Sequence, residues 1–489
     1  MQVTTPRGDG YIGTLPTSNS WTCQQNNANN AYYVTIPSAN VNNNNKNNTY
    51  AVVPVAEFEK LNDLLFGAEG DCWKNKKKRF DAVRFHYNLK TIFELSDKIA
   101  VGKYRPTTSI CFILDYPRYR EVFAAKYIDR VIHHLVAPFI LSVTESVHSM
   151  NGNISHGNRK KLSAHTAALQ IQSNMRHYPN GYVATMDVSG FFMNIDREKA
   201  FNIFIEFFEK YRPTPFAPWY VDLMLRLLKI LITHDPTSDC IRNSPISAWR
   251  FIAANKTLFG NDGKGLPIGN FYSQLIANLV LAVWGMAILE MHLDFRITQF
   301  VDDMCVVAAD AETITKVRKR SAEVLRSIGL VLHPRKYYIQ PIRHGVQFCG
   351  RVIYADRIYT CNRTIRACKK TIKDAIKSCS LENAYRLQSS FNSYIGMMCH
   401  SRSFNIQQQL MQLVMESDYA KWVYFKNEGG HLVLRIKDEF KAINVRVKEL
   451  HEMTKQQKQF EYERKSKHRT EQRSAQGGVA ERNPIPLRF

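Results

Sequence analysis

The 489-residue chain has no run of ~18 uninterrupted apolar residues, so no bilayer-spanning segment is expected. Its longest apolar stretch, Ile276 to Leu289, is interrupted by Asn278 and reads as a buried core helix. The charged-then-apolar pattern of a secretory leader is also missing, which predicts a cytoplasmic address and no membrane partner. None of the ten cysteines forms a CxxC pair, and Cys361 and Cys368 stand too far apart for a zinc knuckle. Buried reduced thiols are therefore expected, with neither a disulfide framework nor a structural zinc. Acidic residues are scarce beside basic ones: 43 Asp and Glu against 66 Lys and Arg leave a net charge of +23. That excess predicts a positive field and polyanionic partners, nucleic acid ahead of anionic membrane. What is present in ordinary amount is core material, at 45% hydrophobic residues, which excludes wholesale disorder.

Composition divides the chain. From Asn26 to Asn48, 11 of 23 residues are Asn, and no apolar period runs through them. Residues 1–70 are accordingly read as a poorly ordered segment. A basic run follows (Lys74, Lys76, Lys77, Lys78, Arg79). Val83, Phe85, Leu89, Ile92, Phe93 and Ile99 then predict one amphipathic helix. Residues 71–355 alternate strand-like and helical runs, the pattern of an α+β domain. Residues 182–188 read as a strand, Asp196 as the cap of a helix facing inward through Phe201, Phe204, Ile205 and Phe208, and residues 297–308 as two strands joined at Asp302–Asp303. Residues 356–454 read as helical and basic. Residues 455–489, with nine Lys and Arg against four Glu, read as a disordered cationic tail.

Three carboxylates carry the chemistry. Asp187 ends an apolar strand, and Asp302 and Asp303 sit at the centre of an apolar hairpin, where acidic residues are poor strand formers. Either feature alone is commonplace. Together they supply what two-metal phosphoryl transfer needs: several hard anionic oxygens on rigid neighbouring strands, able to hold two Mg²⁺ ions about 3.5–4 Å apart.

In order along the chain, MDVSGFF, GLPIGNFYSQLIANLVL, FVDD, LVLHPRKYYI and GVQFCGRVI resemble the palm of a reverse transcriptase, the likeness covering roughly residues 80–410. The resemblance implies an α+β right-hand polymerase, with fingers and an antiparallel palm sheet in 71–355 and a helical thumb in 356–454. It implies catalysis by Asp187, Asp302 and Asp303, with the Val188 carbonyl beside them on the two Mg²⁺ ions. Arg118 and Arg120, in YPRYREVFAAKYIDRVIHH, would contact the incoming triphosphate, a task suited to the planar fork of Arg. Phe192 stands at the place of the steric gate that selects deoxynucleotides, and Lys336 at that of the lysine that protonates pyrophosphate. Phe348 and Gly350 match the primer grip. The adjacent His133 and His134 read as packing residues, and Arg159, Lys160 and Lys161 as unassigned template contacts.

Within that superfamily the block Gly265 to Gln274 resembles the enzymes of diversity-generating retroelements. Most bacterial relatives have Gln before the second glycine and Pro after the serine, where this chain has Ile268, next to Gly269, and Gln274. That likeness implies error-prone copying at template adenines, loosened where Ile cannot hydrogen-bond. The partners it implies are an RNA template with an adenine-rich repeat, the cDNA/RNA hybrid, dNTPs and a small basic accessory protein, expected to be oligomeric, in a prokaryotic or phage-infected cell. Residues 21–54 also resemble the variable ends of such elements' target proteins, as though the reading frame crossed the template repeat. Two alternatives stay open: a group II-like reverse transcriptase of ordinary fidelity in defence or repair, and an inactive palm that only binds RNA.

Overall fold

A computed structural model describes residues 20–25, 30–35, 40–45 and 55–441, apart from 75, 78, 116, 117, 214, 262 and 430. The cationic tail and the last part of the expected thumb lie outside the described residues. The described residues fall into two compact units, one of those up to 349 with 353–356, the other of 350–352 and those from 357 on.

The first unit opens with Ser20–Gln25 (β1), Asn30–Thr35 (β2) and Asn40–Asn45 (β3), antiparallel with β2 in the middle. The Asn-rich stretch was expected to carry no fold. Its pairing departs from that reading because ladder bonds join backbone groups whatever side chains they bear. The other departure is clearer. Helix α1 (Val55–Trp73) begins inside the segment read as unstructured and buries Leu61, Leu65 and Ala68, which recur at helical spacing. The single helix expected over 83–99 is two, α2 (Phe80–His86) and α3 (Leu89–Ala100), parted at Tyr87 and Asn88. Asn is a weak helix former that favours such boundaries.

Next come a hairpin, β4 (Ser109–Leu114) and β5 (Arg120–Ala124), and helices α4 (Tyr127–Met150) and α5 (Ala164–His177). Strand β6 (Tyr182–Asp187) leads into the short helix α6 (Phe191–Asn194), then α7 (Arg197–Tyr211) and α8 (Pro218–Thr233). Asp196 caps α7, accepting from the Lys199 N–H at 2.9 Å. Strand β7 (Cys240–Arg242) joins β4 in parallel. Helix α9 (Phe271–Leu289) is, among the described residues, the one helix long and apolar enough to cross a membrane; 72% of its apolar window is buried, so it packs as a core helix. Strands β8 (Phe295–Phe300) and β9 (Asp303–Ala308), helix α10 (Ala311–Ser327) and β10 (Tyr338–Pro341) follow, and the strands complete a four-stranded sheet with β6, antiparallel throughout in the order β10-β6-β9-β8. The chain is thus mixed α+β with antiparallel sheets. One continuous core, including Phe139, Phe204, Tyr272 and Trp284, lies beneath the sheet and helices.

Short strands β11 (Val346–Phe348), β12 (Arg351–Ile353) and β13 (Ile358–Thr360) lie where the chain passes from one unit to the next. The second unit has its own core, around Phe391, Leu410 and Tyr419, built by α11 (Asn362–Ile376), α12 (Leu381–Met398) and α13 (Phe404–Met415). It is not wholly helical: β14 (Val423–Glu428) and β15 (His431–Ile436) form a hairpin, with Phe425 and Leu434 opposite each other.

Candidate active site

Strand pairing assembles the acidic site. In the β6–β9 register Asp187 stands directly opposite Asp303, and Asp302 occupies the turn between β8 and β9. The turn is strained at Val301, whose φ of +55° is one a β-branched residue rarely adopts. Burial, reinforced by the charges of Asp302 and Asp187, pushes the Asp303 carboxyl up to about 6. Burial and then Asp187 raise Asp302 as well. These groups are negative charges held where water compensates them poorly, and a cation is the natural complement.

Part of that complement comes from the chain. The Lys336 ammonium lies 2.5 Å from Asp187 Oδ2. Arg118 acts electrostatically on Asp303 and Arg120 on Asp302, in the direction that favours their charged forms. The structure therefore brings Asp187, Asp302, Asp303, Lys336 and the two arginines into one field, although they come from widely separated segments. The Cys349 thiol is 4.0 Å from Asp303 Oδ2.

The donor set is all oxygen and suits a hard divalent ion. Val188 pairs with Leu332 through bonds from Ser189 N to Val331 O (2.8 Å) and from His333 N to Asp187 O (2.7 Å), and neither uses the Val188 carbonyl. Among the described residues no group of three or more His, Cys, Asp and Glu side chains already converges as a metal cage. With Lys336 on Asp187, the carboxylates are adjacent and charged but not yet gathered around one point.

The loop from Gly265 to Asn270 binds the neighbouring elements together. Leu266 N donates to Phe192 O at 2.8 Å, Gly265 N to Ile195 O at 2.7 Å, and Phe123 N to Ile268 O at 2.9 Å. Gly269 has φ +115°, and a Cβ there would meet Val122 Cγ1 at 2.8 Å and Phe123 O at 3.0 Å, so glycine is required where the loop lies on β5. Ile268 and Gly269 thus rest on the strand that begins with Arg120, while Gln274 sits half-buried in the first turn of α9. Phe192 is half-buried with its ring 5.3 Å from that of Phe191. Phe348 is buried on β11 in the first unit, whereas Gly350, at φ +77°, belongs to the second.

Supports that sequence reading did not find are equally specific. Gln299, fully buried, exchanges backbone bonds with the segment before α5: Gln299 N donates to Ile154 O and His156 N to Gln299 O, both at 2.8 Å. Its Nε2 donates to Val301 O at 2.9 Å. A Cβ on Gly157 would lie 2.6 Å from Val301 Cγ2, and Asn278 Nδ2 donates to Gly157 O at 2.6 Å. This segment therefore underpins the turn that presents Asp302. Glu121, buried on β5, accepts from Trp249 Nε1 (2.7 Å), Thr257 Oγ1 (2.8 Å) and Leu258 N (2.7 Å). Arg159 is not free for a template: it is committed to Glu145 at 2.7 Å and to Ser155 O at 2.9 Å. His133 packs against Tyr272 and His134 against Phe271, and burial pushes His133 down to about 3, so the pair serves packing.

No family model and no curated protein matches the chain. Among solved structures it is similar to apo telomerase from Candida tropicalis (TM-score 0.41, 9% identity, covering 65% of this chain and 58% of that one). It is also similar to telomerase from Candida albicans in complex with a TWJ fragment of telomeric RNA (TM-score 0.37, 11% identity, 63% and 56%). The chain spans little more than half the length of these structures.

Proposed function

We propose that the protein is an RNA-directed DNA polymerase of the right-hand kind, with fingers and palm in the first unit and a thumb in the second. One observation carries the reading: Asp187 and Asp303 are opposed on adjacent antiparallel strands, with Asp302 at the adjoining turn. Asp187, Asp302 and Asp303, with the Val188 carbonyl, would hold two Mg²⁺ ions. When bound, these supply a lowered pKa for the primer 3′-hydroxyl and charge compensation for the triphosphate.

The remaining roles belong to the chain. Arg118 and Arg120 orient the triphosphate, a division that fits their electrostatic reach to the two turn carboxylates. The Phe192 ring crowds a ribose 2′-hydroxyl. Lys336, stationed at Asp187, holds a proton on Nζ for the departing pyrophosphate. The resemblance of GLPIGNFYSQ supports the finer reading: adenine-directed errors in a diversity-generating retroelement, with an accessory protein and a structured RNA template.

Primer extension on an RNA template tests the activity. Asp302→Asn should lower extension by several orders of magnitude, and near-normal extension would sink the assignment. Sequencing the cDNA tests the finer reading, since errors spread evenly over template bases would favour an enzyme of ordinary fidelity. The Lys336–Asp187 ion pair is the observation that favours a second reading, an inactive palm that binds RNA; Mg²⁺-dependent incorporation by the unaltered protein would remove it.

A further inference from the structure

A second surface is built around the β4–β5 hairpin's arginines. Tyr119, between Arg118 and Arg120, stacks on Phe251 with ring centroids 4.7 Å apart and planes inclined by 14°. Both rings are open to solvent, Tyr119 at 43% and Phe251 at 49% exposure. The Arg250 guanidinium lies 4.7 Å from the Phe251 ring centre, extending the stack with a cation. The exposed Arg242 sits 4.0 Å from the Phe259 ring and 5.2 Å from that of Trp249.

Scattered exposed aromatics are ordinary, but a stacked pair capped by guanidinium and flanked by arginines is not scattered. The frame beneath is fixed. Glu121 clamps Trp249, Thr257 and Leu258, and Asn243 N donates to Cys111 O at 2.7 Å, fastening both ends of the segment to the hairpin. Rigid mounting removes much of the ordering entropy that a flexible aromatic loop would lose on binding.

We infer that Tyr119, Phe251 and Arg250 form a stacking platform for an unpaired nucleic-acid strand. The solvent-exposed surface of this aromatic and guanidinium stack takes any base, and Arg118, Arg120 and Arg250 supply charge complementary to its phosphates. A paired duplex offers its bases only at the ends, so the platform selects single strands. The inference concerns binding alone and stands whether or not the acidic site polymerises.

The test is fluorescence anisotropy with the full-length protein in EDTA, without nucleotides. The probes are an unstructured RNA of ~12 nucleotides, the same sequence as DNA, and a blunt RNA–DNA hybrid. Phe251→Ala should weaken binding to the unpaired strand about ten-fold, the scale of one lost base stack, and leave the blunt hybrid unchanged. The salt slope should stay the same, because a ring neutralises no phosphate. Phe251→Trp should bind as tightly as the parent, and the RNA and DNA arms identify which strand the platform serves. Unchanged affinity of Phe251→Ala for both unpaired strands, or an equal loss on the blunt hybrid, would overturn the proposal. Because no extension is read, failure here is separable from failure of the polymerase reading.

Discussion

Replacing Asp303 by Asn should make the metal-free protein more stable, and the structure fixes the sign, the pH window and the approximate size. The Asp303 carboxyl is raised from an ordinary 3.8 to about 6, first by burial and then by Asp302 and Asp187. A raised folded-state value means that the native protein binds this proton more tightly than the unfolded chain does. Below about pH 3 both states are protonated and the group contributes no difference. As pH rises from about 3 through about 6 the native state loses stability, most of it above pH 4, and beyond that the deficit is constant. Two pH units at about 1.4 kcal/mol each give an upper bound of roughly 3 kcal/mol. Asn keeps the shape and removes the charge, so the variant should lack this deficit. For a unit of this size that amounts to roughly 5 °C in melting temperature.

Thermal melts of parent and variant in EDTA, at pH 4 and pH 7.5, give the comparison. Asp303→Asn should gain several degrees at pH 7.5 and little at pH 4. Mg²⁺ at about 100 times its dissociation constant should return about 2.7 kcal/mol to the parent and much less to the variant, narrowing or reversing the order. A variant less stable than the parent at pH 7.5 in EDTA, or one equally shifted at both pH values, would refute the view of this centre as uncompensated charge awaiting a cation.

Three further outcomes follow from the same geometry. Gly157→Ala should drive a methyl group into Val301 and displace the Asp302 turn, lowering extension on the order of 100-fold; steady-state kinetics on protein shown by circular dichroism to be folded checks it, and full activity would exclude the supporting role. Phe192→Ala should admit ribonucleotides, read by incorporation of a ribonucleotide against its deoxy counterpart, and unchanged sugar selectivity would remove the gate. Glu121→Ala should leave three donors without their acceptor and cost roughly 2–4 kcal/mol, measured by urea unfolding, with a raised KM for the incoming nucleotide because β5 carries Arg120.

The carboxylates were legible in the sequence because they violate a local rule. Asp302 and Asp303 interrupt an apolar run, and their cost is visible without knowing the partner strand. Strand β6 and the cap at Asp196 were legible for the opposite reason, since a short apolar run ending at Asp187 and capping chemistry are local. Glu121 was not: as one acid in a charged segment it looks like a surface residue, and its partners lie 128, 136 and 137 residues away. Gln299 and Gly157 were hidden likewise, because what defines them is Val301, whose left-handed backbone no β-branched residue advertises. The β14–β15 hairpin is a different kind of miss. Gly429 and Gly430 between alternating apolar residues are a hairpin signal, overlooked within a run read as helical.

The costly features of the first unit are not spread evenly, and their distribution bears on function. A β-branched residue at positive φ, a glycine that admits no Cβ against it, a fully buried Gln whose amide holds that residue's carbonyl, and two carboxyls raised by burial all meet at one β-turn. Each departs from the least costly choice for its position, and a turn whose task was only to join two strands would be better served by Asn-Gly. Because packed surroundings over-determine the turn, the carboxylates cannot relax apart to lower their repulsion. Held charge of this kind carries a standing free-energy cost at neutral pH, which a cation at the turn would relieve. Most of the chain's net +23 does not relieve it, because distant exposed lysines and arginines act through screened solvent; only Lys336, paired with Asp187, and Arg118 and Arg120 offset it in part, and Asp302 and Asp303 stay raised. The strain and the charge meet at one turn, which is what the proposed cation-dependent centre requires: carboxylates held beside one another, with Lys336 on Asp187 until a cation gathers them.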